Sequence, residues 1–159
     1  MSTAWILVSD AARGRLFEAS GTPCTWTELA GYSNSDLRGL PARGGSGRTV
    51  PRTHDSIDPA RHVIEPHASR RDKSTRAFAR MLVADLLEAN ARHRYERLFL
   101  VAPPRFLGVL RGQLGDPAAA GVAGELGSDL AALPTEALIG HLREAFPRAF
   151  PAKAVRSDR

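Results

Sequence analysis

The most constraining feature of the sequence is a continuous apolar run, Leu98–Ala102, which two prolines close. The run is too short for an independent helix and is typical of a strand buried on both faces of a parallel or mixed sheet. Pro103 and Pro104 end the strand, because neither can donate a hydrogen bond to a neighbouring strand. Pro104 also suits the first turn of a helix. The run therefore predicts an inner strand that leads directly into a helix ending near Gln113.

The regions before this strand predict three further strands and a long helix. Three β-rich runs, at residues 5–9, 15–19 and 25–32, are joined by glycine-containing turns and predict an antiparallel meander whose third strand lies at an edge. A helix is predicted from about Asp72 to His93, with Ser74 or Asp72 as its cap. Its apolar face is indicated by residues that recur at spacings of three and four: Phe78, Met81, Leu82, Leu86 and Ala89.

The regions after the central strand complete the fold prediction. A short fifth strand is predicted near residues 121–126. A last helix follows Pro134, with an apolar side made of Leu138, Ile139, Leu142 and Phe146. The element order is then β1β2β3αβ4αβ5α, which predicts an α/β fold with a five-stranded mixed sheet and helices on both faces. The expected strand order in space is 3-2-1-4-5. Ribonuclease H-like folds and the middle domain of eukaryotic-type peptide-chain release factors share this order of strands and helices along the chain.

The chain is expected to form one α/β domain over residues 1–150, followed by a loose tail at 151–159. A long connection at about 33–68 interrupts the pattern. It contains the glycine-rich, basic stretch 38–48, which cannot bury enough apolar surface to offset its ordering entropy. We therefore predict a long flexible basic loop between the third strand and the long helix.

Composition bounds the cellular setting and the ligand class. The net charge is +5 and the pI is about 10.3, which favours polyanionic partners, although a GC-rich genome would also enrich arginine. The single cysteine, Cys24, excludes an intrachain disulfide. The amino-terminal apolar run has no basic flank and predicts a first strand rather than a signal peptide. No run is long enough to span a bilayer. These features predict a cytoplasmic protein without membrane insertion.

Several stretches resemble the bacterial host attachment proteins. They are Trp5–Phe17, Ala77–Arg80, Leu100–Gly108 and the late pairs Asp129-Leu130 and Leu133-Pro134. The resemblance covers nearly the whole chain apart from the loop and the tail. It implies a small α/β protein that is related to the release-factor middle domain. The family name refers to a phenotype, bacterial attachment to hosts, and does not specify a mechanism.

The implied relation to release factors can be tested at their catalytic motif. That domain hydrolyses peptidyl-tRNA through a Gly-Gly-Gln loop placed just before its long helix. The matching place here is Ser69–Ser74, which has neither the glutamine nor the glycine pair. Gly44-Gly45-Ser46 also lacks the glutamine. The sequence therefore predicts a protein that is not an enzyme of this type.

The ribonuclease H resemblance directs attention to carboxylates that hold Mg²⁺. Asp10, Asp85 and Glu88 are the candidates, but the central strand carries no acidic residue, so a full carboxylate set is missing. Asp10 is interpreted as a turn or capping residue. The histidines show no i, i+4 pair, and Cys24 has no evident base partner. No catalytic residue, metal site or cofactor is predicted, and a hydrolase of RNA or of an ester bond stays a third alternative.

The strongest remaining signal is a group of basic residues that crowd the predicted start of the long helix. An anion would find free N–H groups and a positive dipole end there, although cations at this position cost the helix some stability. Arg105 follows the central strand and is either an anion contact or a first-turn residue with a local partner. The candidate anion- or RNA-binding residues are Arg70, Arg71, Lys73, Arg76, Arg80 and Arg105.

The resulting hypothesis is a non-catalytic cytoplasmic domain of the host attachment family that binds RNA or a ribosome-associated partner. The alternative from another class is a protein-interaction module that affects host attachment indirectly through a protein partner. Neither the oligomeric state nor the identity of the ligand follows from the sequence.

Overall fold

The computed structural model describes residues 2–38, 65–116 and 121–151. The strands in these ranges are β1 (Ala4–Ser9), β2 (Arg13–Ser20), β3 (Thr25–Ser33), β4 (Arg97–Ala102) and β5 (Val122–Gly127). The helices are α1 (Ser35–Arg38), α2 (Glu65–Ala91), α3 (Pro104–Leu114) and α4 (Thr135–Ala145). The order along the chain differs from the predicted one by the single-turn helix α1, which had no counterpart in the predicted order.

The five strands form one mixed sheet in the spatial order β3-β2-β1-β4-β5. β1 pairs with β2 in the antiparallel sense and with β4 in the parallel sense, so Ile6 lies between Phe17 and Phe99. β3 lies at one edge, as its alternating pattern predicted, and β5 lies at the other. The prediction of an α/β fold with a mixed five-stranded sheet is confirmed.

Helices cover both faces of the sheet and create two cores. The core under α2 and α3 is built from Leu7, Leu16, Leu98 and Leu100 of the sheet with Phe78, Leu82, Leu86, Phe106 and Leu110 of the helices. The core under α4 is built from Ile6, Val8, Phe17, Phe99 and Val101 with Leu138, Leu142 and Phe150. Alternate residues of β1 and β4 contribute to opposite cores, because successive side chains of a strand point to opposite faces. Leu98–Ala102 is therefore buried on both sides, as predicted.

The fifth strand depends on a glycine for its packing. A Cβ atom at Gly124 would lie 2.8 Å from Cε1 of Phe146 and 3.0 Å from Cδ1 of Phe99. Real Cβ atoms essentially never approach so closely, so only glycine lets these two rings pack against β5 with their centroids 4.9 Å apart. The glycines in this stretch weaken the sequence pattern of the strand and at the same time permit its packing.

The long helix differs from its prediction at its start. It begins at Glu65, seven residues before the predicted Asp72, and ends at Ala91. Pro66 falls in its first turn, where a missing N–H is tolerated. Asp72 and Ser74 therefore lie inside the helix, and the prediction that one of them caps it is wrong. The prediction for Met81 is also wrong, because its side chain is 44% exposed rather than part of the apolar face.

Helix α2 ends in a capping turn at residues 92–94. His93 has a positive φ of 53°, and its N–H donates to the carbonyl of Asn90. The N–H of Arg94 donates to the carbonyl of Ala89. This pair of bonds satisfies the last carbonyls of the helix in the manner of a Schellman motif. The chain then turns directly into β4.

The predicted loop at 33–68 has narrower limits than expected, since β3 continues to Ser33, α1 follows, and α2 already begins at Glu65. Residues 39–64, which include the glycine-rich stretch, lie outside the described residues, as do residues 152–159 of the predicted tail. The predicted flexibility of both segments stays a prediction.

None of the helices in the described ranges is both long enough and apolar enough to cross a membrane.

Candidate nucleic-acid interface

The amino-terminal half of α2 extends beyond the sheet. Its 27 residues give a helix of about 40 Å at 1.5 Å per residue, whereas the six residues of β4 reach only about 20 Å. Within α2, Arg70–Lys73 are all exposed, and Ser74 is the first residue whose described side chain is buried. A helix turn that is exposed all round has no core to pack against.

Five of the predicted site residues lie on α2, three in the exposed stretch Arg70–Lys73 and two beyond it where the helix also packs on the sheet. Arg70, Arg71, Lys73, Arg76 and Arg80 are all exposed, and none of them forms an ion pair with a carboxylate of the described residues. Because α2 begins at Glu65, they lie in its second to fifth turns. The prediction that they crowd the helix start, and with it the use of free first-turn N–H groups, is therefore wrong for these residues.

Four of the five cations form a row along one side of the helix. At 100° per residue, Arg70, Lys73, Arg76 and Arg80 fall within an arc of about 120° and extend over about 15 Å of the helix axis. Arg71 lies outside this arc. We call these four residues the basic row.

A groove lies at the Arg70 end of the basic row, where α1 meets α2. It has a volume of about 460 Å³ and is lined by Asp36, Arg70, Lys73, Ser74 and Ala77. Its described lining combines two cations of the basic row, Arg70 and Lys73, with the carboxylate of Asp36, whereas Arg76 and Arg80 of the row lie outside this lining. Asp36 therefore offsets part of the positive charge at the groove, and long-range attraction of an anion comes from the four cations of the row together.

A buried polar network forms the junction under the groove. Asn34 and Ser74 are only 7% and 6% exposed. The amide Nδ2 of Asn34 donates to Oγ of Ser74 and to the carbonyl of Ala11, each at 3.1 Å. Its Oδ1 accepts the N–H of Asp36 at 3.2 Å. The network fixes α2 to the end of β3 and to the β1–β2 turn, and it thereby sets the position of the basic row.

The predicted residue Arg105 lies at the same end of the sheet as the basic row. It is exposed in the first turn of α3, and it forms no ion pair with a described carboxylate. Its neighbour Phe106 stacks against Phe78 of α2, with ring centroids 6.2 Å apart. Phe78 lies between Arg76 and Arg80 in the sequence but is buried and is not part of the row. The region is therefore at the carboxyl ends of β1 and β4, where open α/β sheets commonly bind ligands.

The three carboxylates considered for a metal site each have a structural partner. Oδ1 of Asp10 accepts the N–H groups of Ala12 and Arg13, both at 2.8 Å, which confirms its interpretation as a turn residue. Oδ2 of Asp85 accepts the hydroxyl proton of Tyr32 at 2.9 Å. The carboxylate of Glu88 pairs with Arg92 in the next turn. In the parts of the chain that the structure describes, no three His, Cys, Asp or Glu side chains are grouped to hold a metal ion.

The hydroxyl of Tyr32 connects the edge strand β3 to the packed half of α2. Burial of this side chain, its hydrogen bond to Asp85 and the negative charge of Asp85 together raise the pKa of Tyr32 to about 12. Burial alone raises the pKa of Tyr95 to about 12. Both phenols therefore stay protonated and neutral well above neutral pH. Neither phenol is poised for acid–base chemistry near pH 7.

Sequence reasoning missed the residues that position the groove. Asn34 and Asp36 fell within the predicted loop, and their contacts with Ser74 join residues about forty positions apart in the chain. A local signal was present, because Ser33-Asn34-Ser35-Asp36 is a run of residues that favour turns and helix starts.

Comparison with curated proteins finds no match for the chain. The family model described as "Protein required for attachment to host cells" matches residues 5–142. The match covers the five strands, except for Ala4 at the start of β1, and all but the last residues of α4. It extends over most of the chain, which therefore belongs to this family.

Proposed function

We propose that the chain is a non-catalytic cytoplasmic domain that binds RNA, free or within a ribosome, through the basic row. The carrying observation is that four exposed cations occupy one side of α2, two of them in the stretch Arg70–Lys73 that is exposed all round, and have no ion-pair partner among the described residues. The family description suggests a role in host attachment. An RNA-binding domain would take part in that role through the control of other proteins.

Physical chemistry supports a phosphate ligand for such a row. Each cation that contacts a phosphate releases condensed counterions, and this release drives binding without any need for a deep pocket. Arginine is also well suited to phosphate, since its guanidinium forms paired hydrogen bonds with two oxygens. An exposed row on a rigid helix is thus sufficient for backbone contacts.

The proposal does not include the catalytic activity of release factors. A kinship with the release-factor middle domain or with ribonuclease H-like folds is part of the proposal at the level of the fold. The Gly-Gly-Gln motif is absent from the sequence, and the carboxylates Asp10, Asp85 and Glu88 serve turns, strands and helix pairs. What the proposal retains from the relation is contact with RNA.

Charge reversal within the basic row tests the proposal. The full chain with Arg70→Glu and Lys73→Glu is expected to bind labelled RNA at least about tenfold more weakly at low salt than the unchanged chain, because two phosphate contacts become repulsions. The matched control is Arg94→Glu with Arg148→Glu, which changes the net charge equally at exposed positions outside the row. Equal losses in both variants, or no binding by the unchanged chain at low salt, would contradict the proposal.

A second candidate function is a protein-interaction module that acts on host attachment indirectly. The observation in its favour is that Met81 and Leu87 of α2 are 44% and 39% exposed, which is high for large apolar side chains on a helix that is otherwise well packed at this end. A protein partner retained by the unchanged chain and lost on Met81→Glu, with RNA binding absent, would favour this candidate over the first.

A further inference from the structure

The aromatic residues of the chain set a limit on the kind of nucleic acid that the basic row can recognise. All ten, six phenylalanines, two tryptophans and two tyrosines, lie within the described ranges, and each is buried or half-buried. Even the half-buried ones have internal partners. Trp5 packs on Tyr95 at 5.2 Å between ring centroids and donates to Glu18, and Trp26 packs on Phe150 at 4.9 Å.

Recognition of single-stranded nucleic acid relies on aromatic side chains on which the unpaired bases stack. An exposed aromatic is absent here, and the sheet offers no stacking platform either, because α2 and α3 cover one face and α4 covers the other. A single strand would thus lose its flexibility on binding without the stacking energy that normally compensates for this loss.

The basic row matches a regular duplex backbone better. It is straight and about 15 Å long, and the helix that carries it holds the four cations at fixed separations. A duplex presents phosphates from two strands at high linear charge density and needs no ordering when it binds. The wide, shallow minor groove of RNA duplexes is recognised mainly by shape and by backbone contacts.

We infer that the ligand class of the basic row is base-paired RNA, bound through its phosphate backbone rather than through its bases. This inference rests on the proposed function and specifies its substrate class. The Asn34–Ser74 network is the positioning device, since it fixes the helix that carries the row relative to the rest of the domain.

The test compares two labelled RNAs with the full chain at one low salt concentration. One is a blunt duplex of about 16 base pairs, a length that a backbone-reading domain can span. The other is an unstructured pyrimidine strand of the same length. We expect the duplex to bind at least about tenfold more tightly, because the single strand has no stacking partners.

Two further arms make each result decisive. Arg76→Ala with Arg80→Ala should weaken duplex binding several-fold and leave the single strand, already weak, almost unchanged, whereas Arg94→Ala with Arg148→Ala should affect neither. Equal or tighter binding of the single strand would overturn this inference while the proposed function stands. If neither RNA binds at low salt, the proposed function itself fails.

Discussion

The two halves of α2 differ in what holds them in place. In the carboxyl-terminal half, Leu82, Val83, Leu86 and Ala89 are buried against the sheet. In the amino-terminal half, Arg70–Lys73 are exposed all round. Burial stabilises the carboxyl-terminal half. The amino-terminal half is helical mainly because it continues a helix that has already formed. We propose that a ligand, rather than packing, accounts for this exposed part of the helix, whose cations have no ion-pair partner among the described residues.

The largest expected effect lies in the packed half. Leu86 is 1% exposed and Leu87 is 39% exposed, so two adjacent leucines of one helix form a matched pair. Leu86→Ala should lower the free energy of unfolding by about 2–5 kcal/mol because it leaves a cavity. Leu87→Ala should cost well under half of that. Denaturant titration measures both, and similar losses would mean that α2 is not seated as described.

The junction between the two halves should give an intermediate effect. Asn34→Ala removes the donors to Ala11 and Ser74 and leaves the buried Ser74 hydroxyl without its main partner. The expected loss in the free energy of unfolding is about 1–3 kcal/mol. Ser35→Ala, at an exposed neighbouring position, is the control. An Asn34→Ala protein as stable as the control would show that the network does not fix α2.

Alkaline pH should lower the free energy of unfolding through Tyr32, which contacts the packed half of α2. Above pH 10 an unfolded chain loses the Tyr32 proton, while the folded chain keeps it until its raised pKa of about 12. The folded state then binds more protons, so the free energy of unfolding falls as pH rises through this window. Tyr32→Phe should show a smaller fall between about pH 9 and about pH 11. Part of the fall must persist, because Tyr95 contributes in the same direction.

An unchanged pH dependence in Tyr32→Phe would contradict the raised pKa of Tyr32, to which burial contributes most and the hydrogen bond and charge of Asp85 contribute further. The measurement is the denaturant midpoint at the two pH values, compared within each protein. At the lower pH, where the phenol is protonated in both folded and unfolded chains, the comparison reports only the loss of the hydroxyl and of its hydrogen bond to the Asp85 carboxylate, and it serves as the internal reference.

The smallest stability effect is expected in the extended half. Arg70→Glu with Lys73→Glu should change the free energy of unfolding by no more than about 0.5 kcal/mol per site, because both side chains are exposed and unpaired among the described residues. A large loss would mean that the extended half contributes to the fold and would weaken the contrast between the halves.

The contrast also explains which parts of the structure the sequence predicted. β1, β2 and β4 were predictable because burial imposes an apolar pattern on them, and β3, which has no buried residue, because its β-rich residues alternate with polar ones. The start of α2 was not, because residues 65–73 carry no apolar period in the sequence and Arg70–Lys73 are all exposed. Met81 was misplaced since its spacing from Phe78 suits the apolar face, yet it lies at the margin of that face.

The candidate site was predictable to a similar extent. The cations were visible in the sequence as a local cluster, and four of them do share one side of α2. Their distance from the helix start was not predicted, because α2 begins at Glu65 and Pro66 and no apolar pattern marks this start. The groove could not be predicted, because it depends on the contact between Asn34 and Ser74 across a long connection.

The most direct test of the central claim is the salt dependence of RNA binding by the full chain. If the basic row contacts the backbone through four cations, the logarithm of the affinity for an RNA duplex should fall with the logarithm of salt concentration with a slope of about −3 to −4. Arg76→Ala with Arg80→Ala, which keeps the helix, should reduce the magnitude of this slope by about 2. A slope that stays unchanged in the variant, or one near zero in the unchanged chain, would contradict the account.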